Sequence, residues 1–167
     1  EFTELGSQMV LPLFEGVDKA PNNSLRGLSR SQRSLVRDAL SSGGFDGKKG
    51  RRMTLWTPGC NIVLVGMGEK DSLGHKIARN TGARLIASMS KKKGIDVTVR
   101  FTSGWSVKRM IDFAEGMLLR DYEFLEHQEP PKDHISEPWN VSFQASSRYQ
   151  ESLGRELSKV GSVAEGV

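Results

Sequence analysis

The residues in this sequence best suited to chemistry are two glycines and three groups of cations. Gly66 and Gly68 follow the apolar run Ile62-Val63-Leu64-Val65, and a helical pattern begins a few residues later. Glycines between a strand and a helix let a phosphate approach backbone N–H groups, so this turn invites a nucleotide reading. The dinucleotide fingerprint requires a third glycine where Asp71 stands, and no Gly-Lys-Ser/Thr phosphate loop is present. A tight strand-to-helix turn with no ligand accounts for the same residues. The cations fall at Arg30/Arg33/Arg37, at Lys48/Lys49/Arg51/Arg52 and at Lys91/Lys92/Lys93. Gathered on one face they would form a nucleic-acid patch; kept apart they are solvated surface. Neither interleaved aromatics nor a helix-turn-helix signature accompanies them.

The other reactive side chains are scattered. His75, His127 and His134 are not at metal-ligand spacing, and the last two lie in or beside a proline-rich loop. Cys60 is the single cysteine. It can form no internal disulfide and no thiolate metal site, it has no sequence neighbour to activate it, and it fits a reducing compartment. Asp112/Glu115 and Glu123/Glu126 are near-helical neighbours and read as solvated carboxylates. No serine sits in a nucleophile elbow. The sequence thus offers no catalytic, cofactor-binding or metal-binding residue. Its candidate site residues are nucleic-acid contacts: Lys48, Lys49, Arg51, Arg52, Lys91, Lys92 and Lys93.

The elements that would position these groups follow from patterning. The 167 residues, 37% apolar and 26% charged, suit one soluble domain with a real core. A net charge of +4 and a pI near 9.3 are a modest basic excess. No window holds the ~18 apolar residues of a membrane helix. The first residues are acidic and polar, unlike a secretory signal. Ile62–Val65, apolar on both sides, reads as a strand buried on both faces near the centre of an α/β sheet. Met9–Phe14 is a second apolar run, but Pro12 lacks an N–H and implies an edge strand or a bulge. Ser29 with Gln32 forms a capping box ahead of a helix whose apolar face is Leu35, Val36, Ala39 and Leu40, ended by Gly43-Gly44. Arg51–Trp56 alternates as a half-buried strand. Ser72–Met89 is helical, with Ala78, Gly82, Leu85 and Met89 on one side and Gly82 allowing close approach to the sheet. Ile95–Phe101 alternates, with Asp96, Thr98 and Arg100 facing out. A helix capped by Ser106 exits through Tyr122 and Phe124. Glu126–Pro138 reads as a loop, Trp139–Ala145 as a last strand, and Ser146 or Ser147 as the start of a final helix. Residues 1–8 read as a partial strand or as added residues. The final stripe reaches Val167 with no stop signal, so more protein is expected beyond it.

Four segments in register resemble the N-terminal domain of the leucyl (cytosol) aminopeptidases, the two-metal exopeptidases. Phe45-Asp46-Gly47-Lys48-Lys49-Gly50 is similar to that family's Phe-x-Gly-Lys-x-Gly turn. Val63-Leu64-Val65-Gly66-Met67-Gly68-Glu69-Lys70 resembles its glycine-ended strand. Phe113-Ala114-Glu115-Gly116-Met117-Leu118-Leu119-Arg120-Asp121-Tyr122-Glu123-Phe124 resembles its Ala-Glu-Gly-x-x-Leu-x-x-Tyr-x-Phe helix exit and is the most specific match. Ala164-Glu165-Gly166-Val167 is similar to the helix preceding its linker into the catalytic domain.

The resemblance runs from about Met9 to Val167. It implies a single non-catalytic domain over 1–167: an α/β fold, macro-domain-like (the ADP-ribose-binding fold), with a mixed, mostly parallel sheet between helices in three α/β/α layers. It implies a parent protein that is a cytoplasmic hexamer releasing N-terminal residues, leucine among them, with two divalent ions, zinc or manganese. The Asn-Thr-Asp-Ala-Glu-Gly-Arg segment of the catalytic domain is missing, so no catalytic residue carries over. The implied partners are the chain's own C-terminal catalytic domain and further copies of the protein. Two alternatives stand beside this: a macro-like module for ADP-ribose or a related nucleotide at Gly66–Asp71, and a nucleic-acid-binding domain, since some members bind DNA.

Overall fold

The computed structural model describes residues 7–17, 22–89, 96–126 and 140–164. Within them the chain runs β1 (Gln8–Leu13), α1 (Arg30–Ser41), β2 (Arg52–Leu55), β3 (Asn61–Gly66), α2 (His75–Met89), β4 (Asp96–Arg100), α3 (Val107–Glu126), β5 (Asn140–Gln144) and α4 (Ser147–Ala164). The five strands form one sheet in the order β2-β3-β1-β4-β5. β1 is parallel to β3 and to β4, β4 is parallel to β5, and only β2 runs antiparallel, on β3. The sheet is therefore mixed and mostly parallel, and helices cover both of its faces in three layers.

Side-chain alternation along the inner strands divides the core in two. Met9, Leu11, Leu13, Ile62 and Leu64 face a cluster completed by Val36 and Leu40 of α1 and by Leu25, Leu28, Phe45 and Cys60. Val10, Val63, Val65, Val97 and Val99 face the opposite cluster, with Ala78, Leu85, Met110, Phe113 and Leu153 from α2, α3 and α4. β1 and β3 are covered on both faces by apolar clusters, which is why Met9–Leu13 and Ile62–Val65 read as apolar runs rather than alternating ones. In the second cluster Phe101 and Trp105 pack tilted at 4.9 Å between ring centres, and each meets Phe113 edge-on at 5.8 Å.

The centre belongs to β1, with β3 one strand out, so the apolar run carrying Pro12 is neither an edge nor bulged. Pro12 is tolerated by position. β1 pairs with β4 only from Gln8 to Val10. The Leu13 carbonyl accepts from Met67 N–H on the β3 side, so its neighbour Pro12 faces the other way, where β4 has already parted. No ladder bond is demanded of the missing N–H there, and the Pro12 carbonyl is met by the Trp105 indole N–H at 3.3 Å.

Arg100 does not face solvent either. Both faces of β4 are covered, and Thr98 and Arg100 are buried. The Arg100 guanidinium donates to the carbonyls of Ser24 (3.1 Å) and Arg26, and to Gln144 Oε1 at 2.7 and 2.9 Å. Burial lowers its pKa, and these acceptors satisfy the fork in place of water. Strand alternation marks which face a side chain takes, but not whether a distant loop folds over that face.

α1 starts as its sequence indicates. The Ser29 side chain accepts from Gln32 N–H, and the Gln32 side chain accepts from Ser29 N–H at 2.9 Å. Gln32 also donates to Thr57 Oγ1 at 2.9 Å, tying the cap to the turn before β3. The close approach of Gly82 is to α3 rather than to the sheet: a Cβ there would lie 2.1 Å from the Phe113 carbonyl oxygen. Gly116 reciprocates, with a Cβ position 1.9 Å from the Arg79 carbonyl oxygen. Two glycines, each over a backbone carbonyl of the other helix, let α2 and α3 cross nearly in backbone contact. Among the described residues no helix is long and apolar enough to cross a membrane.

Candidate functional site

The Gly66-Met67-Gly68 turn is shaped by its own chain. Gly66 N–H donates to the Arg51 carbonyl (2.8 Å), Met67 N–H to Leu13 (2.9 Å) and Gly68 N–H to Gly47 (3.0 Å). A phosphate cradle needs free amides, and these three are in use. The glycines answer to sterics instead. A Cβ on Gly66 would sit 2.0 Å from the Lys48 carbonyl oxygen, and Gly68 has a φ of +79°. The Phe45–Gly50 turn lies against the end of β3, so the two motifs quoted separately from sequence are two halves of one packing contact.

That turn delivers part of the second basic cluster to a groove between the β2 edge and α2, about 420 Å³ in volume. Lys49, Arg51 and Arg52 line one wall. The other wall is α2, which presents Lys76, Asn80, Arg84 and Ser88 at four-residue intervals, one face of a helix. Val65, Ile77 and Leu85 contribute apolar surface. The Arg52 Nη1–H donates to Ser88 Oγ and so bridges the two walls. Partial cover lowers the pKa of the Arg52 guanidinium. Arg51 reaches Asp46 only at 3.9 Å, while Lys48 points out of the groove to the same carboxylate at 3.5 Å. The Lys48 backbone N–H, bonded to Asp46 Oδ1, is the main cause holding that carboxyl below its usual pKa.

Of the basic residues marked by sequence, Lys49, Arg51 and Arg52 come together. Lys91, Lys92 and Lys93 lie outside the described residues. Arg30, Arg33 and Arg37 are exposed on α1, on the far side of the sheet from α2. Lys76 and Arg84 were missed, although the Lys76/Asn80/Arg84/Ser88 spacing is legible in the chain. Isolated cations on a helix attract notice only when a second basic segment is known to face them.

The remaining candidates are structural where they are described. Asp112, read as a solvated carboxylate, is buried: it accepts from His75 Nδ1–H and from Arg109 Nη1–H at 2.8 Å. Arg109 Nε–H also donates to the Leu73 carbonyl at 2.8 Å, so this cluster pins the starts of α2 and α3 together. Cys60 is buried, and burial pushes its thiol pKa up, away from the reactive thiolate. His127 and His134 lie outside the described residues. Among the described residues no group of three His, Cys, Asp or Glu side chains is placed to hold a metal ion.

Comparison with known proteins agrees with this architecture. The family model of the cytosol aminopeptidase family, N-terminal domain, matches residues 10–131. No curated protein sequence matches the chain. A mutant of tomato leucine aminopeptidase is similar in structure over 98% of this chain and 34% of its own, with a TM-score of 0.67 and 21% identity. The bottromycin maturation enzyme BotP, in a complex with Mn, is similar over 95% of this chain and 30% of its own, with a TM-score of 0.54 and 13% identity. The chain thus spans about a third of the length of the solved structures it matches. With the family model matched from the first inner strand through the α2–α3 pair, the chain belongs to the cytosol aminopeptidase family and carries its N-terminal domain.

Proposed function

We infer that this chain, as a single domain over 1–167, is the non-catalytic N-terminal part of a metal-dependent leucyl aminopeptidase. Its role is to support assembly of the enzyme and to shape access to a C-terminal catalytic domain. The observation that carries this reading is the match to the N-terminal domain of an aminopeptidase family, over a chain about a third as long as a leucine aminopeptidase. In such an enzyme two divalent ions, zinc or manganese, would polarise the scissile carbonyl and activate water, and their ligands would belong to the catalytic domain. The parent is read as a cytoplasmic hexamer. This chain supplies a rigid sheet locked by the α2–α3 crossing, a suitable base for subunit contacts.

The test compares three proteins on a leucyl amide substrate with manganese or zinc added: this chain, the full-length protein, and the full-length protein lacking the chain. The expected result is no hydrolysis by the chain alone and hydrolysis by a full-length hexamer, with loss of the hexamer or a changed KM on deletion. Hydrolysis by the chain alone, or a deletion that leaves assembly and kinetics untouched, would overturn the reading.

A further inference from the structure

We propose that the groove between the β2 edge and α2 is a binding site for a compact oligophosphate, a ligand with two or more linked phosphoryl groups. Five cations surround one cavity of about 420 Å³: Lys49, Arg51 and Arg52 on one wall, Lys76 and Arg84 on the other. No carboxylate is among the described lining residues. Within the described residues Lys49, Lys76 and Arg84 make no ion pair, and Arg52 donates to the Ser88 hydroxyl. Like charges facing one another across a narrow space repel, and a multivalent anion between them reverses the sign of that interaction. Arginine forks and lysine ammoniums are the donors that suit phosphate oxygens, and Asn80 and Thr81 add neutral hydrogen-bonding groups beside them.

The shape favours a small ligand over a polymer. The cations lie on two facing walls rather than along a convex stripe, and the volume is in the range of small-molecule pockets. Among the described residues no aromatic side chain lines the groove, so none of them is available to stack a nucleic-acid base. Recognition then rests on phosphate charge, not on a base. This site is distinct from the glycine turn, whose amides are occupied, and it does not depend on the aminopeptidase reading.

The experiment is calorimetric titration of this chain at low salt with inorganic tripolyphosphate, pyrophosphate, orthophosphate, ATP and a short single-stranded oligonucleotide. Tripolyphosphate and ATP should bind with similar affinity and at least about tenfold more tightly than orthophosphate, and added salt should weaken them. The charge reversal Lys76→Glu with Arg84→Glu should abolish binding, Arg84→Lys should keep most of it, and Arg30→Ala/Arg33→Ala/Arg37→Ala on the far face should change nothing. Lys76 and Arg84 are exposed, and thermal melts would show the reversed variant still folded. Absence of heat with every oligophosphate at millimolar concentration overturns the proposal. So does binding of the oligonucleotide alone, or equal weakening by the α1 substitutions.

Discussion

Replacing Gly116 by alanine should destabilise the domain, although alanine is the better helix former. The new Cβ would lie 1.9 Å from the Arg79 carbonyl oxygen, 2.7 Å from its carbonyl carbon and 3.0 Å from its Cα. All three are backbone atoms, so no rotamer change relieves the clash. The helices must separate by roughly 1 Å before the shortest contact reaches 3.0 Å. That separation loosens Ala78, Leu85, Phe113 and Met117, all buried between them and the sheet. Overpacking of this kind costs about 1–3 kcal/mol, and a backbone-to-backbone clash belongs at the upper end. The helix-propensity gain of about 1 kcal/mol opposes it, which leaves a net loss of about 2 kcal/mol. For a chain of this size that lowers Tm by roughly 4–8 °C. The internal control is Gly154→Ala in α4, where a Cβ meets nothing within 4 Å. There only the propensity term acts, and stability should rise by up to ~1 kcal/mol. Urea unfolding with an unchanged slope would read both. Gly82→Ala should act like Gly116→Ala, and the double variant should lose less than the sum, because both open the same crevice. A Gly116→Ala protein as stable as its parent, or a Gly154→Ala protein that falls equally, would refute the account of the crossing.

Other outcomes follow from single residues. Arg100→Met should cost about 2–4 kcal/mol in urea unfolding, because the Ser24 and Arg26 carbonyls and the Gln144 side chain lose a shared donor; Arg100→Lys should recover little, since one ammonium cannot span the guanidinium's acceptors. Cys60 should react with a thiol reagent far more slowly in the native chain than in urea, because burial both hides it and raises its pKa; equal rates would contradict the placement. The Asp46 carboxyl should titrate below 3.8 by NMR, chiefly through the Lys48 amide. A lowered folded pKa means stability that is present above 3.8 and fades as pH falls through the lowered value, so Asp46→Asn should flatten the acid limb slightly. An unchanged acid limb with a normal Asp46 midpoint would remove that contribution.

Much of the architecture was legible because it is encoded locally. The Ser29/Gln32 capping box, the apolar run of β3, the alternation of β2 and the glycine-ended turn each depend on neighbours within a few residues, so pattern alone locates them. The family resemblance also rested on short segments, two of which, the Phe45–Gly50 turn and the end of β3, form one contact in the fold. What local pattern misplaced was set by residues far apart in the chain. Pro12 sits in the central strand because β4 diverges before reaching it. Arg100 is buried because the Ser24–Arg26 segment folds over β4. Asp112 leaves solvent because His75 and Arg109 converge on it. Gly82 is required by α3, some thirty residues on, and not by the sheet. The basic groove follows the same rule. Lys49, Arg51 and Arg52 are visible as a cluster, but only the crossing of α2 beside the β2 edge puts Lys76 and Arg84 opposite them. Local pattern determines which elements form and which face is apolar; which face meets which, and therefore which charges share a space, is decided by the packing of the whole chain.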